Sequence, residues 1–174
     1  MRKRMEPSAT DFSCSYRVRP LAEEDIPHIY RLCKSNPLYY QYCPPMVTQE
    51  GIRSDMTALP PGKSLQDKHY VGYFDENGLV AVLDLIIDYP QAGTGWIGLF
   101  MTAAEVQNQG IGSRIISELM AYLTGIGMKQ LRLAWVQDNP QAARFWQKNG
   151  FAKTGETVET ERYTAVIAEK YLSI

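Results

Sequence analysis

Residues Gln107 to Ile115 read QNQGIGSRI, and their types and spacing suit the binding of an anion. Gly110 and Gly112 stand two apart, after an apolar segment and before one with helical periodicity. Glycines at a strand-to-helix junction let backbone approach a ligand closely, and the first N–H groups of the helix point outward without partners. With the helix dipole added, such a junction is an anion site. The stretch lacks the GK[ST] ending with which a P-loop handles γ-phosphate and magnesium. It also lacks the third glycine of a dinucleotide loop, since Ser113, Arg114 and Ile115 follow Gly112. On the loop alone, a ligand-free glycine turn and a phosphate site fit equally.

Other residues could also do chemistry. Asp84 and Asp88 lie in the apolar run LVAVLDLIID (79–88). Asp84 is set among residues that must be buried, so its carboxylate requires a partner, either as a structural group or as a functional one. Asp88 borders a turn and is expected to be solvated. Tyr39, Tyr40 and Tyr42 crowd the stretch NPLYYQYCPP (36–45), which reads as a loop broken by Pro37, Pro44 and Pro45. Cys14, Cys33 and Cys43 are odd in number and widely spaced, and His28 and His69 stand far apart. No CxxC pair or Cys/His cluster supports a disulfide framework or a zinc site, so no metal is expected.

The bounds set by composition agree with one ordinary globular domain. A chain of 174 residues has the length of a single domain. Its net charge of −1 argues against a nucleic-acid footprint, which shows a basic excess or stripe. Arg2, Lys3 and Arg4 have no apolar run behind them, unlike a signal peptide. No segment approaches the roughly 18 apolar residues of a membrane span. A cytoplasmic protein of a reducing compartment, without membrane or nucleic-acid partners, is the expectation.

The elements that position these residues follow from periodicity. Residues 1–14 are polar and patternless and are expected to form a flexible tail, leaving 15–174 as the domain. A strand over 16–21 precedes a helix over 23–35, with Glu23, Glu24 and Asp25 in its first turn and Ile26, Ile29, Tyr30 and Cys33 on one face. A second helix spans about 48–58 with Thr48 as its N-cap. Strands 69–75 and 79–88 are joined by ENG, a hairpin signal, and a third strand covers 95–103. Ile111, Ile115, Ile116, Leu119, Met120, Leu123 and Ile126 form the stripe of a long helix that ends at Gly125 to Gly127. A strand over 131–136, a helix over 140–149 capped by Asn139 with Pro140 first, and strands 151–156 and 161–172 complete the chain. The strands 95–103 and 131–136 enclose a helix and are therefore parallel. The sum is an α/β (α+β) fold: a mixed, mostly antiparallel sheet with a central parallel βαβ unit and helices on both faces.

The frame Gln107-x-x-Gly110-x-Gly112 at this junction resembles the acetyl-CoA loop of GCN5-related N-acetyltransferases (GNAT). Asn139 to Phe151, NPQAARFWQKNGF, is similar to that family's Asn-x-x-Ala-x-x-(apolar)-Tyr-x-x-x-Gly-Phe segment, and RVRPLAEEDIPHI resembles its opening strand and helix. The resemblance covers about 16–172 in the element order above. It implies a GNAT-like fold, acetyl-CoA as co-substrate, and transfer of acetyl to a primary amine by direct attack in a ternary complex. The alternative is a non-catalytic acyl-CoA-binding module.

The resemblance implies roles for particular residues. The amides of Gln107, Asn108, Gln109, Gly110, Ile111, Gly112 and Ser113 would bind the coenzyme A pyrophosphate. Backbone around Phe100, Met101 and Thr102 would pair with the pantetheine arm, and Asn139 would face that arm. Two positions depart from the pattern. Trp146 stands where the family often places a Tyr as general acid, and an indole N–H donates a hydrogen bond without transferring a proton; Trp146 is left to pack beside the cofactor or in the core. Gly98 stands where many relatives carry a Glu base, which leaves Asp84 as the first candidate, then Asp88 and Tyr163. Tyr39, Tyr40 and Tyr42 would wall the acceptor pocket, or serve instead as a hydrophobic lid or a homodimer contact. The acceptor is a small-molecule amine or a protein amine.

Overall fold

The structure, a computed structural model, describes residues 5–173. Among the described residues seven strands form one sheet: β1 (Arg17–Pro20), β2 (Lys68–Asp75), β3 (Gly78–Ile87), β4 (Thr94–Thr102), β5 (Gln130–Val136), β6 (Ala152–Glu159) and β7 (Thr164–Tyr171). They lie in the order β1-β2-β3-β4-β5-β7-β6, antiparallel throughout except for the parallel pair β4–β5. The helices are α1 (Ile26–Lys34), α2 (Pro37–Tyr42), α3 (Gln49–Thr57), α4 (Ile111–Gly125) and α5 (Pro140–Lys148). The mixed sheet and its βαβ unit are those expected from the sequence.

Local chemistry explains the element ends. The Thr48 hydroxyl accepts from Gly51 N at 2.9 Å, and Asn139 Oδ1 accepts from Ala142 N at 3.1 Å, so both expected caps satisfy an orphan helix amide. The acids expected in the first turn of the first helix form a 3₁₀ turn, Glu23–Asp25, before α1 begins. The Asp25 carboxylate accepts from Ala22 N at 2.8 Å and from the Arg19 guanidinium, which holds it below the usual carboxylate range.

Two expectations are corrected. The stretch 36–45 is not all loop: Pro37–Tyr42 is helical, because Pro37 occupies the first helical position, where its missing N–H and fixed φ cost nothing. The N-terminal segment is not patternless from Ala9 onward. Ala9–Asp11 makes a 3₁₀ turn, Phe12 is fully buried, and the Ser13 hydroxyl donates to the Glu118 carboxylate of α4 at 2.5 Å. The Phe12 ring sits 5.7 Å from His69 and 5.5 Å from Tyr122. Arg2, Lys3 and Arg4 lie outside the described residues. Phe12→Ala should cost about 3–4 kcal/mol of unfolding free energy, the value for emptying a buried aromatic site, as read by urea denaturation. A loss near zero would return the segment to a tail.

Two apolar cores sandwich the sheet. On one face Ile115, Ile116, Leu119 and Leu123 of α4 pack with Leu83, Leu131 and Leu133. On the other, Ile26, Ile29, Leu32 and Cys33 of α1 and Ile52 of α3 pack with Tyr70, Val82 and Met101. Alternation along β3 serves both faces, each buried aliphatic side chain contributing roughly 2 kcal/mol.

Candidate functional site

The glycine loop is built around a left-handed helix start. A 3₁₀ turn, Ala104–Val106, carries the chain from β4 toward α4. The Gln107 side-chain amide donates to Thr102 O at 3.1 Å and to Asn36 Oδ1 at 2.5 Å. Asn36 Nδ2 donates to the same carbonyl at 2.9 Å, so Gln107 braces the loop against the end of β4 and the start of α2. Asn108 and Gly110 have φ of +62° and +77°, the left-handed region that Asn tolerates and Gly favours. A Cβ at Gly110 would meet nothing within 4 Å, so that face is open. A Cβ at Gly112 would instead come within 3.1 Å of the Phe145 ring, so Gly112 serves close packing of α4 on α5. Gln109 is held locally, its Nε2 donating to Glu105 O at 3.2 Å. The first intrahelical bond runs from Arg114 N to Gly110 O at 3.0 Å. The amides of Ile111, Gly112 and Ser113 therefore point out of the helix end, where they attract negative charge. The Ser113 hydroxyl accepts from Asn149 Nδ2 at 3.2 Å, tying this end to α5.

Beside the loop, β4 and β5 part. Their pairing stops at Ile97 with Leu133, and Gly98 is the unpaired bulge residue between the β3–β4 partners Leu85–Ile97 and Asp84–Leu99. Ala103 N bonds to Val80 O at 2.9 Å. By antiparallel alternation the Met101 amide then faces Val82 of β3, while the amides of Phe100 and Thr102 face the gap toward β5. Asn139, buried, stands where β5 leads into α5, its Oδ1 taken by the cap. One wall of the gap is aromatic: Phe100 stacks on Phe145 at 5.9 Å, and Trp146 meets Phe100, Phe145 and Phe151 at 6.0, 4.9 and 5.2 Å. Trp146 is thus a packing residue of the core.

Asp84 sits on the opposite side of the bulge, on the α1/α3 face of the sheet. Its Oδ2 accepts from Lys68 Nζ at 2.9 Å, and the side chains of Lys68 and Asp84 are only 3% and 15% exposed. Lys68 Nζ also donates to Ala58 O at 2.9 Å. Asp84 Oδ1 is buried without a hydrogen-bond partner. Burial pushes the Asp84 carboxyl above its ordinary range, and the Lys68 ammonium pulls it back. A Cβ built on Gly98 would lie 3.2 Å from Asp84 Oδ2, so the carboxylate of β3 fills the space that a side chain on the β4 bulge would enter. Asp88 lies at the far end of β3 in a left-handed conformation, with Oδ1 accepting from Gly93 N at 2.7 Å. It holds the β3–β4 turn and is not part of this cluster.

Residues 28–151 match the model of the acetyltransferase (GNAT) family, more than half of the chain. The chain belongs to this family. Solved structures share the fold of the acetyltransferase. An acetyltransferase from Thermus thermophilus is similar with a TM-score of 0.72 and 22% identity, over 90% of this chain and 97% of that one. The ribosomal-protein-S18-alanine N-acetyltransferase from Escherichia coli has a TM-score of 0.67 and 14% identity, over 91% and 95% of the two chains. The PaiA N-acetyltransferase from Thermoplasma acidophilum, in complex with coenzyme A, has a TM-score of 0.63 and 20% identity, over 90% and 98%. No curated protein matches the chain.

The tyrosines of this acetyltransferase lie on the α1/α3 face. Tyr39 and Tyr40 of α2 meet edge to face at 4.9 Å and pack against the core of that face, and Tyr42 is half-buried on the same helix. Burial holds the Tyr39 and Tyr40 phenols well above the usual tyrosine range, which keeps both as protonated donors. Tyr163 lies in the turn between β6 and β7 rather than on a strand. Two residues of the site escaped sequence reasoning. Asn36 reads as an ordinary residue before proline, and Lys68 as a charge at a strand edge; a lysine two residues before the buried Tyr70 was the available signal.

Proposed function

We propose that this chain transfers the acetyl group of acetyl-CoA to a primary amine by direct attack in a ternary complex. The observation that carries the reading is the run of outward amides at Ile111, Gly112 and Ser113 behind the open Gly110, beside a parted β4–β5 pair. Those amides, with Asn108 and Gln109 at the loop crest, suit the pyrophosphate. The Phe100 and Thr102 amides suit the pantetheine arm, and one of them would polarise the thioester carbonyl. Met101 supports that edge through β3, Gln107 braces the loop, and Asn139 presents its Nδ2 to the arm. Coenzyme A bound to a neighbour of the same fold agrees with this assignment.

Asp84 is the general base of the proposal. An alkylammonium sheds one proton to Asp84, and the freed lone pair attacks the thioester carbon. The C–N bond forms, the C–S bond breaks, and the second nitrogen proton passes to the departing thiolate. A thiol with a pKa near about 8.5 leaves without a dedicated acid, so Trp146 in place of Tyr is compatible with turnover. The half-buried Tyr39, Tyr40 and Tyr42 wall the acceptor side, where aromatic faces and a carboxylate suit a cationic amine. The named acceptor of the Escherichia coli neighbour, a ribosomal-protein alanine, keeps protein amines beside small ones.

The test is release of free thiol from acetyl-CoA with a panel of spermidine, glucosamine and an alanine-ended peptide, above a blank without amine. Turnover with any member supports the enzyme. Tight coenzyme A binding with no acetylation across polyamines, amino sugars and peptides would identify the acyl-CoA-binding module instead.

A further inference from the structure

We infer that Lys68 is a positioning residue for acetyl transfer: it ties Asp84 Oδ2 and leaves Oδ1 to receive the acceptor's proton. The inference rests on the reading of Asp84 as the base.

Lys68 and Asp84 lie on adjacent strands on one face of the sheet, Lys68 opposite Ile86 and Asp84 opposite Tyr70. This diagonal relation lets a long side chain cross between strands. The ammonium has three donors, of which two are committed, one to Asp84 Oδ2 and one to Ala58 O at the end of α3. Its side chain is 3% exposed, so water does not compete for these bonds. An ammonium buried so deeply requires a carboxylate, because an unpaired charge removed from water is strongly disfavoured. The contact therefore fixes the Asp84 rotamer and assigns different tasks to its two oxygens.

The charges facing Asp84 are few. Lys68 on β2 favours the carboxylate, Asp55 on α3 opposes it, and the buried Tyr70 lies across the strand as a neutral phenol. On β4 the neighbours are Gly98 and Leu99, which carry no charge. Lys68 is thus the cation that favours the ionised form of a buried carboxyl, the form able to take a proton.

The test is a carbon-detected NMR titration of the Asp84 carboxyl, assigned by its loss in Asp84→Asn, read beside the pH profile of thiol release. Lys68→Gln should raise the titration midpoint by about one pH unit or more, the effect of removing an adjacent cation. The acid limb of kcat/KM should rise with it, since the base form exists only above that midpoint. Lys68→Arg should restore both to within a few tenths of a unit. If Lys68→Gln does not fold, Lys68→Met, which keeps the apolar stem and lacks the charge, takes its place with the same expected shifts. An unmoved midpoint in a folded variant that lacks the Lys68 charge overturns the inference about Lys68 alone. A midpoint that moves while the acid limb stays overturns the base reading, and the positioning role with it. A purely structural lysine would lower thermal stability and move the Asp84 midpoint while leaving the acid limb of kcat/KM in place.

Discussion

Gly110→Asp should weaken coenzyme A binding by about 10²–10³-fold, because it sets a carboxylate roughly 4 Å from bound phosphate oxygens at an intermediate dielectric. The variant should still fold. A Cβ at Gly110 meets nothing within 4 Å, and the φ of +77° is one that Asp and Asn visit. The conformational cost is about 1 kcal/mol, small enough for a stable domain to carry. Gly110→Asn separates charge from conformation: it has the same shape and no charge, and should lose only a few-fold in affinity. Isothermal titration with coenzyme A reads both. Equal losses in the two variants would assign the effect to backbone geometry, and unchanged affinity in Gly110→Asp would remove the loop from the cofactor site.

Asp84→Asn should lower kcat/KM by about 10²–10⁴-fold, the contribution of general base catalysis, while leaving coenzyme A affinity unchanged. It should also abolish the acid limb of the pH profile, because the group whose deprotonation that limb reports is gone. The substitution removes the counter-charge of a buried ammonium, which costs on the order of 3 kcal/mol. Circular dichroism and a melting curve must therefore accompany the kinetics. A second variant addresses the geometry of the bulge. Asp84 Oδ2 occupies the space beside Gly98, 3.2 Å from where a Cβ would stand. Asp84→Ala with Gly98→Glu should recover part of the lost rate, since a carboxylate returns from the neighbouring strand to the same volume. If Asp84→Asn retains both rate and acid limb, Asp84 is a structural partner of Lys68 and the base lies elsewhere.

The glycine loop and the helix behind it were legible from the sequence for a physical reason. A glycine loop, a helix N-terminus and an apolar stripe are local features: Gly110, Gly112 and the run from Ile111 to Ile126 act through backbone freedom and 3.6-residue periodicity. The mixed sheet was legible likewise, because a hairpin signal dictates antiparallel neighbours and an intervening helix dictates parallel ones. What local pattern could not carry was any contact across the sheet. That Phe12 belongs to the core depends on ring contacts with His69 and Tyr122, far along the chain. The helix of Tyr39, Tyr40 and Tyr42 was hidden because proline reads both as a breaker and as a first helical residue.

The surroundings of Asp84 show the same division most clearly. Sequence alone determined that Asp84, in an apolar strand, required a partner. Only the tertiary structure decided that the partner is Lys68, that Oδ1 is left over, and that the carboxylate fills the space beside Gly98. Strand register sets which side chains share a face, and the β4 bulge at Gly98 sets which of them meet. Both arise from pairings between segments distant in the chain, so neither is written in the residues that flank Asp84.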